Sequence, residues 1–109
     1  MHELGITQDI LEAVTERADG RKVTRIVLEI GKLSCVLPDA VQFCFELCAA
    51  GTVAEGATLA ILHTPGRGRC RSCGAELPLY QVFTRCTCGS TDIEWINGEE
   101  LRIKSIELD

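Results

Sequence analysis

The sequence predicts a small protein of the α/β (α+β) class, a small sheet carrying two helices, with a separate cysteine-rich module inserted before the last strand. Three observations carry this expectation. Apolar residues recur at helical spacing in two stretches. β-Branched residues alternate with polar ones in others. Between the last two of these stands a segment whose composition shifts abruptly to arginine, glycine and paired cysteines.

Over 4–18, Leu4, Leu11, Val14 and Ala18 keep helical spacing with Ile10 beside them, and Gly20 follows as a stop. Over 23–33, Ile26, Leu28 and Ile30 alternate with Arg25, Val27 and Glu29, the pattern of a strand with one buried face. Pro38 suits the first turn of a second helix, which places Val41, Phe45 and Cys48 on one face and ends near Gly51. A short strand through Leu59 and Ile61 follows over 57–62. Thr64-Pro65-Gly66 then breaks regular structure and opens the module. After Trp95, the turn Asn97-Gly98 leads into a final strand whose apolar parity changes between Leu101/Ile103 and Ile106/Leu108, so a bulge is expected near Lys104 and Ser105. The expected division is a body of 1–64 and 96–109 with an inserted domain at 65–95.

Within that insert, Cys70 and Cys73 form a C-x2-C pair and Cys86 and Cys88 a C-x-C pair, separated by twelve residues. Two such pairs on two turns can set four thiolates at the corners of a tetrahedron, the arrangement of a structural Zn2+ site, and a segment this short has no other evident means of holding a shape. Gly74 and Gly89 follow the pairs where a knuckle needs positive φ. An iron–sulfur cluster, a redox switch or two local disulfides are the alternatives. The odd total of seven cysteines, and an amino terminus unlike a secretion signal, favour a metal in a reducing cytosol. The second pair is one residue shorter than the common knuckle, which implies a tighter chelate loop. Cys35, Cys44 and Cys48 are expected as small hydrophobes in the core rather than as a second metal site.

A chain of 109 residues with 46% hydrophobic and 25% charged residues has the composition of an ordinary globular protein. If the insert folds on its metal, roughly 75 residues remain for a hydrophobic core, near the lower limit for independent stability. The net charge of −5 disfavours a general nucleic-acid binder. Arg67, Arg69, Arg71 and Arg85 crowd the cysteine pairs, and with no aromatic stacking platform beside them they read as offsetting thiolate charge rather than binding phosphate. No apolar run approaches the roughly 20 residues of a membrane span, so a cytoplasmic protein is expected.

The chain opens Met1-His2-Glu3 directly against the first helix. A free α-amine, the amide nitrogen of His2 and its imidazole can form fused chelate rings with three nitrogens in a plane, a donor set suited to Ni2+ or Cu2+ rather than Zn2+. By itself, a solvated terminal histidine remains the ordinary reading.

Taken together, Met1-His2-Glu3 before a helix, the stretches 28–34 (LEIGKLS) and 51–56 (GTVAEG), the two cysteine pairs and the closing 101–107 (LRIKSIE) resemble the HypA/HybF family of hydrogenase nickel-incorporation proteins. The resemblance runs nearly end to end. It implies a metallochaperone rather than an enzyme. Nickel would be taken by Met1, His2 and Glu3, and zinc held by Cys70, Cys73, Cys86 and Cys88. It also implies a HypB-type GTPase and the large subunit of [NiFe]-hydrogenase as partners, and in some bacteria urease maturation as well, without nucleic acid or membrane. The chain departs from the family pattern at Cys86-Thr87-Cys88, where C-x2-C is usual, and its module contains no histidine; His63, just before it, is either a further nickel contact or an ordinary surface histidine at a strand end, and the Glu3 amide is another source of a fourth donor. Two rivals remain at this stage, a zinc-ribbon nucleic-acid module using the arginines and an adaptor that carries no nickel.

Overall fold

A computed structural model describes residues 2–81 and 83–109, with His2 described by its backbone. The elements run α1 (His2–Ala18), β1 (Val23–Gly31), α2 (Pro38–Ala49), β2 (Thr58–Thr64), β3 (Gly66–Cys70), β4 (Glu76–Leu79), β5 (Ile93–Asn97) and β6 (Leu101–Leu108). They form two three-stranded sheets. One has the order β2-β1-β6, with β1 parallel to β2 and antiparallel to β6, and the other has the order β4-β3-β5, antiparallel throughout. The class is α+β, as the sequence predicts. Among the described residues no helix is long and apolar enough to cross a membrane.

Both helices pack on one face of the first sheet. Ile26, Leu28 and Ile30 are fully buried there against Ile10, Val14, Val41 and Phe45. The helical and alternating patterns in the sequence therefore mark the residues that leave water, at about 1.5–3 kcal/mol for each large side chain. Three boundaries move. α1 begins at His2 rather than residue 4; β1 stops at Gly31 because the Ser34 amide and hydroxyl both turn back onto the Gly31 carbonyl; and β2 reaches Thr64 because parallel pairing continues to Gly31.

The expected bulge is present. Val27 pairs with Ser105 and Leu28 with Ile103, leaving Lys104 as the extra residue. The bulge reverses the parity of β6, so Leu101, Ile103, Ile106 and Leu108 all lie in rows shared with the helix-facing residues Ile30, Leu28, Ile26 and Val23. On the opposite face Glu29 is buried rather than solvated, since Arg102 Nε lies 2.8 Å and Lys104 Nζ 3.8 Å from its carboxylate. Replacing Glu29 by Ala should leave two cations unmatched over the sheet and lower stability by about 1 kcal/mol, measured by urea unfolding.

The expectation that all three remaining cysteines lie in the core fails for one. Cys44 and Cys48 are half-buried, and Cys48 packs against the core. Cys35 is exposed, with φ of +64°, because Ser34 Oγ accepts the Val36 amide and winds the chain so tightly that the intervening residue points outward.

The two sheets meet at a joint of backbone and one carboxylate. The Gly31 amide donates to the Glu100 carbonyl at 2.7 Å, Leu33 to the Gly98 carbonyl at 2.7 Å, and Lys32 to the Thr64 carbonyl at 2.9 Å. Gly31 lies so close to Gly98 that any Cβ would run into the Gly98 carbonyl. Gly31→Ala should therefore destabilise the chain by about 3 kcal/mol, read from thermal unfolding. Glu100 Oε1 accepts from Thr64 Oγ1 at 2.7 Å and from the Gly98 amide at 2.8 Å. The Thr64 hydroxyl first, with the local amides and Arg102 adding to it, holds the Glu100 carboxyl below its ordinary range. A depressed folded pKa means the stability it supplies is present above the ordinary carboxylate range and lost as pH falls through the lower folded value. An NMR titration should show Glu100 ionising below the usual range, and Thr64→Val should move that midpoint upward.

Candidate metal centre

The cysteine module is built on two knuckles of the same design. In the first, the Gly74 amide donates to the Cys70 carbonyl at 2.8 Å and the Cys70 amide to the Ala75 carbonyl at 2.9 Å. In the second, the Gly89 amide donates to the Cys86 carbonyl at 2.8 Å and the Cys86 amide to the Ser90 carbonyl at 2.9 Å. Both closing bonds span one residue fewer in the second, so the C-x-C knuckle is the C-x2-C knuckle with one residue removed and its ends re-bonded. Gly74 and Gly89, at φ of +78° and +97°, make both turns. Ser72 Oγ donates to Ser90 Oγ at 3.0 Å and the Arg71 amide to the Asp92 carbonyl at 3.0 Å, tying one knuckle to the other.

The shortened pair does not keep Cys88 out. The four Sγ atoms lie within 4.8 Å of one another, with Cys70–Cys88 and Cys73–Cys86 at 3.6 Å. Thiolates at about 2.3 Å from a tetrahedral ion would stand about 3.8 Å apart. Cys70 and Cys86 are buried while Cys73 and Cys88 face outward. Electrostatics agree with a cation at the centre. The Cys73 amide, more than any other group, draws the Cys70 thiol down to about 6, and the Cys88 amide lowers Cys86. Cys88 has the Ser90 amide acting to lower it, yet the crowd of neighbouring thiols drives it up to about 11; Cys73 is likewise raised by Cys86 and Cys70 against the pull of the Ala75 amide. Four sulfurs this close repel as thiolates unless positive charge sits among them.

The arginines are spent on the module itself. Arg67 and Arg69 reach Glu76 at 3.3 and 3.7 Å, Arg71 reaches Asp92 at 2.9 Å, and Arg85 donates to the Gly89 carbonyl at 2.9 Å. Each of the four thus has a partner within the module, as arginines that offset its negative charge would.

Met1 lies outside the described residues and so does the His2 side chain. Glu3 is fixed from both sides. Its carbonyl accepts Thr7 Oγ1 at 2.7 Å, and its carboxylate accepts the Leu37 amide at 3.3 Å, at the entry to α2. Beside that entry is a cavity of ≈ 440 Å³ lined by Leu37, Pro38, Asp39, Ala40 and His63. His63 reaches it because its register opposite Ile30 puts it on the helix-facing side of β2. Sequence reasoning passed over Thr7 and Asp39; a hydroxyl on an apolar helix face and an acid after Pro38 were the available signals.

Fold and site together define a small metal-handling protein, an α+β body joined to a four-cysteine metal site. The chain belongs to the HypA family, whose model, described as hydrogenase/urease nickel incorporation, metallochaperone, matches residues 1–108. It is 59% identical over 109 residues to the hydrogenase maturation factor HypA of Nostoc punctiforme, covering 100% of this chain and 96% of that protein. To the corresponding factor of Geobacter sulfurreducens it is 49% identical over 110 residues, covering 100% of both. Among solved structures it shares its fold with the solution structure of the Ni metallochaperone HypA from Helicobacter pylori, at a TM-score of 0.67 and 20% identity over 97% of this chain and 96% of that one. A second solution structure of a HypA protein gives 0.71 at 24% identity over 99% and 96%. The family is one of metallochaperones and maturation factors, not of enzymes.

Proposed function

We propose that this chain carries Ni2+ at its amino terminus and delivers it, in the cytoplasm and together with a HypB-type GTPase, to the large subunit of [NiFe]-hydrogenase. Met1 supplies the α-amine, His2 its amide nitrogen and imidazole, and Glu3 a carboxylate. Cys70, Cys73, Cys86 and Cys88 hold a structural Zn2+. The body, 1–64 and 96–109, is the nickel-binding domain, and 65–95 is the inserted zinc domain. The observation that carries the nickel reading is the anchoring of Glu3 on the Leu37 amide. It fixes the first turn of α1 against the start of α2, so a terminal chelate would form beside the cavity that Asp39 and His63 line.

Planar nitrogen coordination with one replaceable donor suits a carrier, since an incoming ligand can enter without dismantling the set. Protonation of imidazole and amide weakens such a chelate, so affinity should fall with pH. Among the residues that line the cavity, Asp39 and His63 offer donor side chains to complete the set, and nickel calorimetry on Asp39→Ala and His63→Ala tests each of them. The whole reading is tested by reconstituting nickel insertion into a metal-free hydrogenase large subunit with the GTPase present. The parent chain should restore activity and His2→Ala should not; equal activity from both would leave only an adaptor role. Urease maturation is checked by the same comparison with urease as client.

A further inference from the structure

β6 is an edge strand whose outer side is open. Its sequence, Leu101-Arg102-Ile103-Lys104-Ser105-Ile106-Glu107-Leu108, is nearly its own reverse in chemical character. Turned antiparallel onto itself about its midpoint, Leu101 meets Leu108, Arg102 meets Glu107, Ile103 meets Ile106 and Lys104 meets Ser105. In a regular strand that register is forbidden, because each pair would join residues on opposite faces. The bulge at Lys104 removes the conflict. Leu101, Ile103, Ile106 and Leu108 all share the helix-facing rows, while Arg102, Ser105 and Glu107 pair with Glu29, Val27 and Arg25 on the other face. Lys104 also reaches toward Glu29 there.

Backbone direction agrees. The Glu100 carbonyl bonds Gly31, the Glu107 carbonyl bonds Thr24 Oγ1 and the Asp109 amide bonds the Lys22 carbonyl, so these groups point toward β1. Counting inward by alternation from either end, Leu101, Ile103, Ile106 and Leu108 present their amides and carbonyls outward. The two residues of each apolar pair would thus be hydrogen-bonded partners. The charges also fit, since Arg102 and Glu107, paired within the chain with Glu29 at 2.8 Å and Arg25 at 3.4 Å, remain 68% and 62% exposed and would meet across the new ladder twice, by symmetry. Leu101 is 40% exposed, and with Arg102 and Ile103 it lines a cleft of ≈ 280 Å³ between β6 and the Ile6, Asp9 and Ile10 side of α1. β2, the other edge, has no charged pair with which to set a register.

We infer that β6 pairs antiparallel with β6 of a second copy of this chain, joining the two body sheets into one of six strands across a two-fold axis. Sedimentation of the zinc-loaded chain should show a concentration-dependent dimer. Hydrogen exchange should show the amides of Ile103 and Ile106 becoming protected in step with it, while those of Arg102 and Glu107 behave alike at every concentration. Glu107→Arg sets like charges opposite each other twice and should weaken the dimer by about 10-fold or more; Arg102→Glu should do the same, and an equimolar mixture of the two should dimerise again. The exchange measurement uses the unaltered chain and holds even if Arg102→Glu, which strips Glu29 of a partner, fails to fold. A monomer up to about 1 mM would overturn the inference. So would a dimer with Ile103 and Ile106 unprotected, or protection appearing only when the GTPase or the hydrogenase subunit is added.

Discussion

Removing the metal from the four-cysteine site is expected to unfold the segment 66–97 while leaving β1, β2 and both helices folded. The reason is how little else holds that segment. Among its described residues the buried side chains are Cys70, Leu79 and Cys86, with glycines at 66 and 68 where a larger sheet would place apolar residues. Its ion pairs, Arg67 and Arg69 with Glu76 and Arg71 with Asp92, join side chains about half exposed to solvent, and such pairs contribute little. Four thiolates around a metal ion supply folding free energy that three-stranded backbone pairing alone does not. A chelator titration followed by NMR should show amide dispersion vanishing across β3, β4 and β5, and Cys70→Ser should lower zinc affinity by well over the ~10–100-fold that loss of a supporting contact produces. Persistence of those amide signals in metal-free protein would show that the metal does not hold the module. Acid should act like the chelator, because binding requires all four thiols to lose their protons.

The same segment marks where the sequence was hard to read. The cysteine pairs are visible as a site because metal chelation depends on local spacing, and Gly74 and Gly89 because a knuckle needs their φ. The strands around them are invisible to any test of apolar alternation. In Gly66-Arg67-Gly68-Arg69-Cys70 the inward positions are two glycines and Cys70, and Gly68 is held to glycine because Ile93 Cγ2 lies 2.6 Å from where a Cβ would stand. Alternation is there, but in side-chain size rather than hydropathy. In the body the opposite holds. Ile26, Leu28 and Ile30 are legible because burial is their whole role, and the bulge at Lys104 is legible because only a change of phase lets both halves of β6 keep their apolar residues inside. Contacts resting on a single polar atom across a long span of chain could not be read. Glu3 meets Leu37, Glu29 meets Arg102 and Glu100 meets Thr64 through tertiary placement that no local pattern encodes.

Glu3 bears most directly on the second large effect. Calorimetry on zinc-loaded chain with its native amino terminus should give one nickel site per chain, and His2→Ala should weaken it by at least ~100-fold, beyond what loss of a supporting contact produces. One residue added before Met1 should be as damaging even though it removes no side chain, since it converts the α-amine into an amide and breaks the first chelate ring. Glu3→Gln separates two roles. As an amide it can still accept the Leu37 N–H, so the first turn of α1 keeps its seat against α2. It no longer offers a carboxylate, so a loss of nickel affinity without loss of thermal stability would mark Glu3 as a donor, and an unchanged affinity would reduce it to an anchor. If nickel binds equally well in the parent, in His2→Ala and in the extended chain, the terminal chelate is wrong. The donors would then have to be sought at the cavity wall that Asp39 and His63 line.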